Sequence, residues 1–411
     1  MDINMQCSLK SNTIFSKERV NTGRQLEFDL AKAVTIVLMI WTHTYEALSI
    51  GFEPSLSSIN SYVRGSIAGA VTFMFCMGIG FSYTRHNSAQ ECLQRGVRLL
   101  TTGFTLLLFR EVIPTLLNSW IFNNPDKLVY LAYGFSVDIL QFAGLAFLLV
   151  GYLKKLRIGN VGMVIISIVL SILGTLLEGV STGYYPLDQL LGFFWGTESE
   201  SYFPLFNWFI FVAVGQWVGD RYQYIQDKKR FHALSLLVGT LLCVAYIYVS
   251  FYVEQNIFKG LTSEIFLGHR PFFDAVICLP INVGLISLFY FISQLIPEKA
   301  IPTLVHPSKH INQYYCISWV ILGFIAELVP GLNSLSTDAQ VIIAWICVLT
   351  VTILAVVIYS RYLKEGTESF FGKHRMFWSI LVWTLCIASF ILAMCLFDKY
   401  PNMMNRGLFE V

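Results

Sequence analysis

The stretch EFDLAKAVTIVLMIWTHTYEALSI, residues 27–50, decides the fold. Its centre, from Ala33 to Trp41, carries no charge, and its 24 residues span about 36 Å as a helix, more than the roughly 30 Å of a bilayer's hydrocarbon core. The stretch is too long and too poorly flanked for a cleaved signal, so it is expected to remain as a first transmembrane helix. Ten further apolar runs follow, at about 65–84, 97–117, 130–153, 159–177, 202–219, 232–253, 274–296, 311–330, 339–363 and 376–397. The composition agrees: of 411 residues 55% are hydrophobic, 15% aromatic and only 13% charged, with a mean hydropathy of +0.61. The expectation is an all-α, polytopic transmembrane helical bundle of about 11 spans.

Lys and Arg fall in alternate loops: Arg85, Arg95 and Arg98; Lys154, Lys155 and Arg157; Arg221, Lys228, Lys229 and Arg230; Lys364, Lys373 and Arg375. The positive-inside rule makes those loops cytoplasmic and predicts an N-in, C-out chain. Residues 1–26 are then a cytoplasmic N-terminal segment, 27–397 one transmembrane domain and 398–411 a short external tail. The loops at about 178–201 and 254–273 would face outside with Tyr184, Tyr185, Trp195, Phe272 and Phe273, as interface anchors or as a platform for a sugar ring. A net charge of +2 without a basic stripe argues against a nucleic-acid partner. The nine cysteines form no C-x-x-C pair and read as small buried hydrophobes, and no metal site is expected.

Ionisable residues inside spans cost about 2.5 to 3.5 kcal/mol each at mid-helix, so each needs a partner, a cavity or a function. In the first span these are Asp29, Lys32, His43 and Glu46. Lys32 and His43 are eleven residues apart, about three turns, on nearly one face and some 16 Å apart along the axis. Asp29 and Glu46 lie one turn beyond them and can face the same seam. An imidazole in the outer half suits proton transfer at neutral pH, though a buried histidine also serves as structure. Counting rises along the third and fourth spans places Arg110, Glu111 and Asp138 at a depth close to that of His43. That polar layer reads as an ion-pair network, as a site, or as both. Lys32, Arg95 and Arg98, nearer the cytoplasm, form a basic entrance able to hold phosphates, although positive-inside topology also demands arginines there. His306 and His310 read as cap or solvated residues, with a role in the site left open.

Arg24-Gln25-Leu26-Glu27-Phe28-Asp29-Leu30-Ala31-Lys32, followed after ten residues by His43, resembles the opening of the integral-membrane acyltransferases. Both the bacterial acyltransferase-3 group and the heparan-α-glucosaminide N-acetyltransferase-like group begin roughly L-D-x-x-R-G before a first helix. Here Lys32 stands at the arginine and Ala33 at the glycine, so a point charge replaces a bidentate fork. Phe73 to Gly78, Asp138-Ile139-Leu140-Gln141 with Gly144, Phe203 to Trp208 with Gly215, and Ile311 to Trp319 are similar to later segments of these groups. The resemblance implies transfer of an acyl group, usually acetyl, from a cytoplasmic acyl-CoA to a hydroxyl or amine of a glycan or glycolipid across the membrane. Acetyl-CoA would be a co-substrate, with no permanently bound cofactor. His43 would be the general base, oriented by a carboxylate such as Glu46. Arg110 or Asn207 would steady the oxyanion, Asp138 would complete the polar layer, and Lys32, Arg95 and Arg98 would receive the donor's phosphates. A plasma-membrane location and a homodimer fit this reading. The alternative is a secondary transporter or flippase in which Lys32, Arg110, Glu111 and Asp138 relay ions or protons.

Overall fold

The computed structural model describes residues 13–49, 69–197, 201–252 and 271–399. Cys7, Lys10, Glu198, Glu200, most of the loop 254–273 and nearly all of the tail 398–411 lie outside the described residues. The described chain is built of helices, with three isolated β-bridges and no strand. In order these are α1 (Leu26–Leu48), α2 (Ala70–Tyr83), α3 (Ala89–Leu107), a π-turn (Leu108–Val112), α4 (Ile113–Ile121), a 3-10 stretch (Pro125–Phe135), α5 (Ile139–Lys155), α6 (Asn160–Leu176) and α7 (Tyr185–Leu191). There follow α8 (Leu205–Tyr222), α9 (Lys228–Tyr252), α10 (Phe272–Ser293), α11 (Ile301–Leu304), α12 (His306–Lys309) and α13 (Ile311–Leu328). The chain continues with α14 (Asp338–Ile358), a second π-turn (Tyr359–Leu363), α15 (Lys364–Lys373) and α16 (Arg375–Lys399).

Each of the eleven apolar runs contains helix, and six helical segments are long and apolar enough to cross a membrane: Ala89–Ile121, Lys228–Tyr248, Phe272–Ser293, Ile311–Leu328, Asp338–Thr367 and Met376–Cys395. The protein is therefore a multi-pass membrane protein. α1 is not one of the six, because Lys32, His43 and Glu46 dilute its apolar run; it is instead wrapped by α2, α10, α13 and α14. A helix buried by protein can carry the polar groups that a lipid-facing helix cannot.

Two starts differ from the sequence expectation. α3 begins at Ala89, well before residue 97, since Ser88 accepts from the Glu91 amide while the Glu91 carboxylate takes the Ser88 amide, a capping box that nucleates two polar turns. Arg95 and Arg98 consequently lie on a helix rather than in a loop. α5 begins at Ile139, well after residue 130: Asp138 is its N-cap, and the apolar residues before it form the 3-10 stretch packed on α16. Among the described cysteines, Cys76, Cys92, Cys278 and Cys386 are buried as expected, whereas Cys347 and Cys395 are exposed on outward faces.

The tightest helix pairs rest on small residues. A Cβ on Gly78 of α2 would meet the Val212 carbonyl of α8 at 2.2 Å, and one on Gly215 of α8 would meet the Phe75 carbonyl at 2.3 Å. The two backbones thus touch directly, the usual way for helices to gain van der Waals contact in lipid. Loops meet at two ends of the bundle. Phe15 bridges Ile225, and Lys154 bonds Asn87; Ser49 bridges Leu335, Val137 bridges Ser201, and Lys127 pairs with Glu327 at 3.1 Å.

Candidate active site

The local sequence makes a special place for Arg110. Pro114 has no N–H to give the carbonyl four residues back, which is that of Arg110, and the helix widens there into the π-turn. The freed carbonyl faces α13, where a Cβ on Gly323 would stand 2.3 Å from it. Only glycine allows that approach. It brings α13 against the π-turn and sets one face of α13, with Tyr315, Trp319 and Gly323 at four-residue intervals, over the guanidinium.

Arg110 is buried and doubly paired, its Nη1 donating to Asp138 Oδ2 at 2.6 Å and its Nε to Glu111 Oε1 at 2.6 Å. The other Asp138 oxygen accepts from the Ile139 amide at 2.6 Å, so one carboxylate caps α5 and neutralises the arginine. The guanidinium carbon lies 4.3 Å from the Trp319 ring centre, a cation–π contact. His43, near the far end of α1, stacks on the same indole with centroids 4.1 Å apart at 24°, and meets the Tyr315 ring edge-on at 5.6 Å. The imidazole is buried, and its Nδ1 makes no hydrogen bond to any described residue.

The residues expected at one depth, His43, Arg110, Glu111 and Asp138, thus come together, with Trp319 as the link. No carboxylate, Glu46 included, bonds His43 Nδ1 among the described residues, and the ring is stacked on Trp319. Asn207 does not face this site; its side chain lies against Gly174 of α6. Lys32 is paired with Asp29 at 3.0 Å on α1, and Arg95 lies over Phe147 at 4.8 Å on α3, whose main partner is α5.

Sequence reasoning missed Tyr315 and Trp319, which look like ordinary aromatics of an apolar helix, and a second polar cluster at the opposite end of α1. There Glu27 accepts from Lys228 at 2.8 Å and from the Tyr222 hydroxyl; that hydroxyl lies 2.8 Å from His232 Nε2, and His232 Nδ1 lies 2.9 Å from Ser287. Beside it Asp29 accepts from Arg24, Lys32 and Ser308. Among the described residues no group of three His, Cys, Asp or Glu side chains is arranged to hold a metal ion.

Residues 24–255, more than half of the chain, match the catalytic region of heparan-α-glucosaminide N-acetyltransferase. The chain belongs to that family. It is accordingly a membrane-embedded acyltransferase of the N-acetyltransferase type. No curated protein and no solved structure matches it. His43, Arg110 and Asp138 lie within the matched residues, and Tyr315 and Trp319 lie beyond them.

Proposed function

We propose that this protein moves an acetyl group from cytoplasmic acetyl-CoA to a hydroxyl or amine of a glycan or glycolipid on the other side of the membrane, with His43 as general base. The observation that carries this reading is a buried imidazole whose Nδ1 has no described partner, stacked on the indole that also bears the Arg110–Asp138 pair. His43 takes the proton of the acceptor as its oxygen or nitrogen attacks the thioester carbonyl. The C–S bond then breaks, and the imidazolium returns the proton to the departing thiolate. Arg110, which shares the Trp319 indole with His43, is the group assigned to steady the developing oxyanion. Asp138 fixes the guanidinium, and Trp319 fixes the distance between cation and base.

The N-in, eleven-span topology goes with this reading, since the contacts that join Asn87 to Lys154 and Phe15 to Ile225 group the loops expected to share the cytoplasmic side, and a plasma-membrane location is proposed with it. Lys32, held by Asp29, stands at that same end of α1. The direct test is acetyl transfer from radiolabelled acetyl-CoA to a glucosaminide by the purified full chain. Transfer by the parent and none by His43→Ala is expected; a parent that neither binds nor hydrolyses acetyl-CoA overturns the reading.

A further inference from the structure

The end of α13 opposite Trp319 carries a concentration of basic groups that the chemistry above does not use. His306 and His310 lie with ring centroids 4.6 Å apart, and His306 Nδ1 is 3.1 Å from the Tyr314 hydroxyl. Lys309 lies between them in sequence, and Lys364, at the start of α15, is close enough to act electrostatically on His310. Both imidazoles are held below the ordinary histidine value, by burial first, then by Lys309 for His306 and by His306, Lys364 and Lys309 for His310; among the described residues no carboxylate acts on either. The nearby Asp29 is already occupied by Arg24, Lys32 and Ser308.

Beside this cluster the second π-turn borders an open surface hollow of about 380 Å³ lined by Ser360 and the exposed Arg361, Tyr362, Lys364 and Glu365. The hollow therefore offers two cations against one carboxylate, and Lys364 joins it to the imidazole pair. His310 is also the N-cap position of an 18-residue helix, whose first amides add positive potential. Positive-inside topology accounts for exposed lysines at this end, but it does not account for two half-buried imidazoles without a carboxylate or for a hollow at the π-turn.

We propose that the phosphates of the coenzyme A donor dock on His306, Lys309, His310, Arg361 and Lys364, with the nucleotide in the adjoining hollow. This rests on the acyl-CoA reading and moves the donor's anchor away from Arg95 and Arg98. α13 supplies the geometry. From His310 to Trp319 is about 14 Å along the helix axis, a reach that suits an extended pantetheine arm running parallel to α13 and delivering its thioester to His43. One helix then carries the phosphate end of the donor at its start and the reacting end two to three turns later. All five anchoring residues lie beyond the family-matched segment.

The test uses the full chain in nanodiscs of phosphatidylcholine alone and, in parallel, of phosphatidylcholine with phosphatidylglycerol, with direct binding of coenzyme A, 3′-dephospho-coenzyme A and adenosine 3′,5′-bisphosphate. The substitutions Lys309→Gln, Arg361→Gln and Lys364→Gln, made together on exposed positions, should weaken coenzyme A about tenfold or more, as expected for lost charge-assisted hydrogen bonds. The same variant should lose the parent's preference for coenzyme A over the dephospho form. Arg85→Gln with Lys155→Gln, exposed cations elsewhere at this end, should leave affinity within about twofold. Affinity of the triple variant within about twofold of the parent overturns the placement, as does a loss borne instead by Arg95→Gln with Arg98→Gln. A defect confined to nanodiscs containing phosphatidylglycerol assigns the cluster to lipid headgroups and overturns it too. A parent that binds no coenzyme A fails the acyl-CoA reading itself, which distinguishes that failure from a misplaced anchor.

Discussion

His43 and Trp319, 276 residues apart in sequence, stack with ring centroids 4.1 Å apart, and the same indole carries the Arg110 guanidinium at 4.3 Å. The indole thereby sets the spacing between a base and a buried cation. Removing it while keeping an apolar side chain, Trp319→Leu, should lower turnover by about 10²-fold, the usual cost of a misplacement near 1 Å, with donor binding little changed. Trp319→Phe keeps a ring for His43 and should retain much more. Steady-state kinetics of both variants, beside their donor affinities, checks this; equal activities would remove the positioning role.

Breaking the Arg110–Asp138 pair takes one of two partners from a buried charge and the cap from α5. Asp138→Leu alone should cost about 1 to 3 kcal/mol of stability and lower the yield of folded protein, since Glu111 still pairs with the guanidinium. Arg110→Met together with Asp138→Leu should recover part of that stability, because the buried cation leaves with its partner, while the α5 cap stays lost. Transfer activity should not return, since the cation for the oxyanion is gone. Thermal unfolding in detergent separates the two effects; activity restored along with stability would make the pair purely structural.

How much was legible in the sequence follows from which forces leave a local trace. Apolar runs announce themselves, so every expected span contains helix, and counting rises placed His43, Arg110 and Asp138 near one depth. Helix starts were harder. The Ser88–Glu91 box begins α3 in polar sequence, and Asp138 begins α5 inside an apolar run, so hydropathy misplaced both. The site's floor was hidden for a different reason: Tyr315, Trp319 and Gly323 share a face at four-residue spacing, yet nothing local distinguishes that face from one packed in lipid. The Glu27–Tyr222 bond joins residues 195 apart and His232–Ser287 residues 55 apart, which no single-span reading connects.

The approach of α13 to the π-turn depends on the missing side chain at Gly323. Gly323→Ala would drive a Cβ to 2.3 Å from the Arg110 carbonyl, which is backbone and cannot swing aside. The helix must retreat, at a cost of about 1 to 3 kcal/mol, carrying Trp319 away from His43. Gly80→Ala is the matched control, because a Cβ there meets nothing within 4 Å. Its expected effect is neutral to slightly stabilising. Unfolding temperature and turnover of the two variants check the contrast; equal behaviour would rule out the close approach.

Acid should loosen the start of α13. Burial and neighbouring bases and cations hold His306 and His310 below the ordinary value of 6.5, so the unfolded chain binds more protons than the folded one just below that pH. Their stabilising contribution is present above 6.5 and is lost as pH falls toward the folded values. His306→Asn with His310→Asn should therefore flatten part of the fall in unfolding temperature between about pH 7 and 5. Parallel slopes for parent and variant would contradict the direction of both shifts.

His43→Ala should abolish acetyl transfer while leaving a folded protein that still binds acyl-CoA. A general base is worth about 10²- to 10⁴-fold in rate. A structural imidazole would show itself differently, because its loss opens a cavity between Trp319 and Tyr315 and lowers stability, with activity per folded molecule largely kept. His43→Phe sharpens the distinction: it refills the stack against Trp319 without a proton acceptor, so it should restore the unfolding temperature and leave transfer absent. If either purified variant keeps turnover within about tenfold of the parent, a general base of the expected size is excluded, and the catalytic assignment of His43 fails with it.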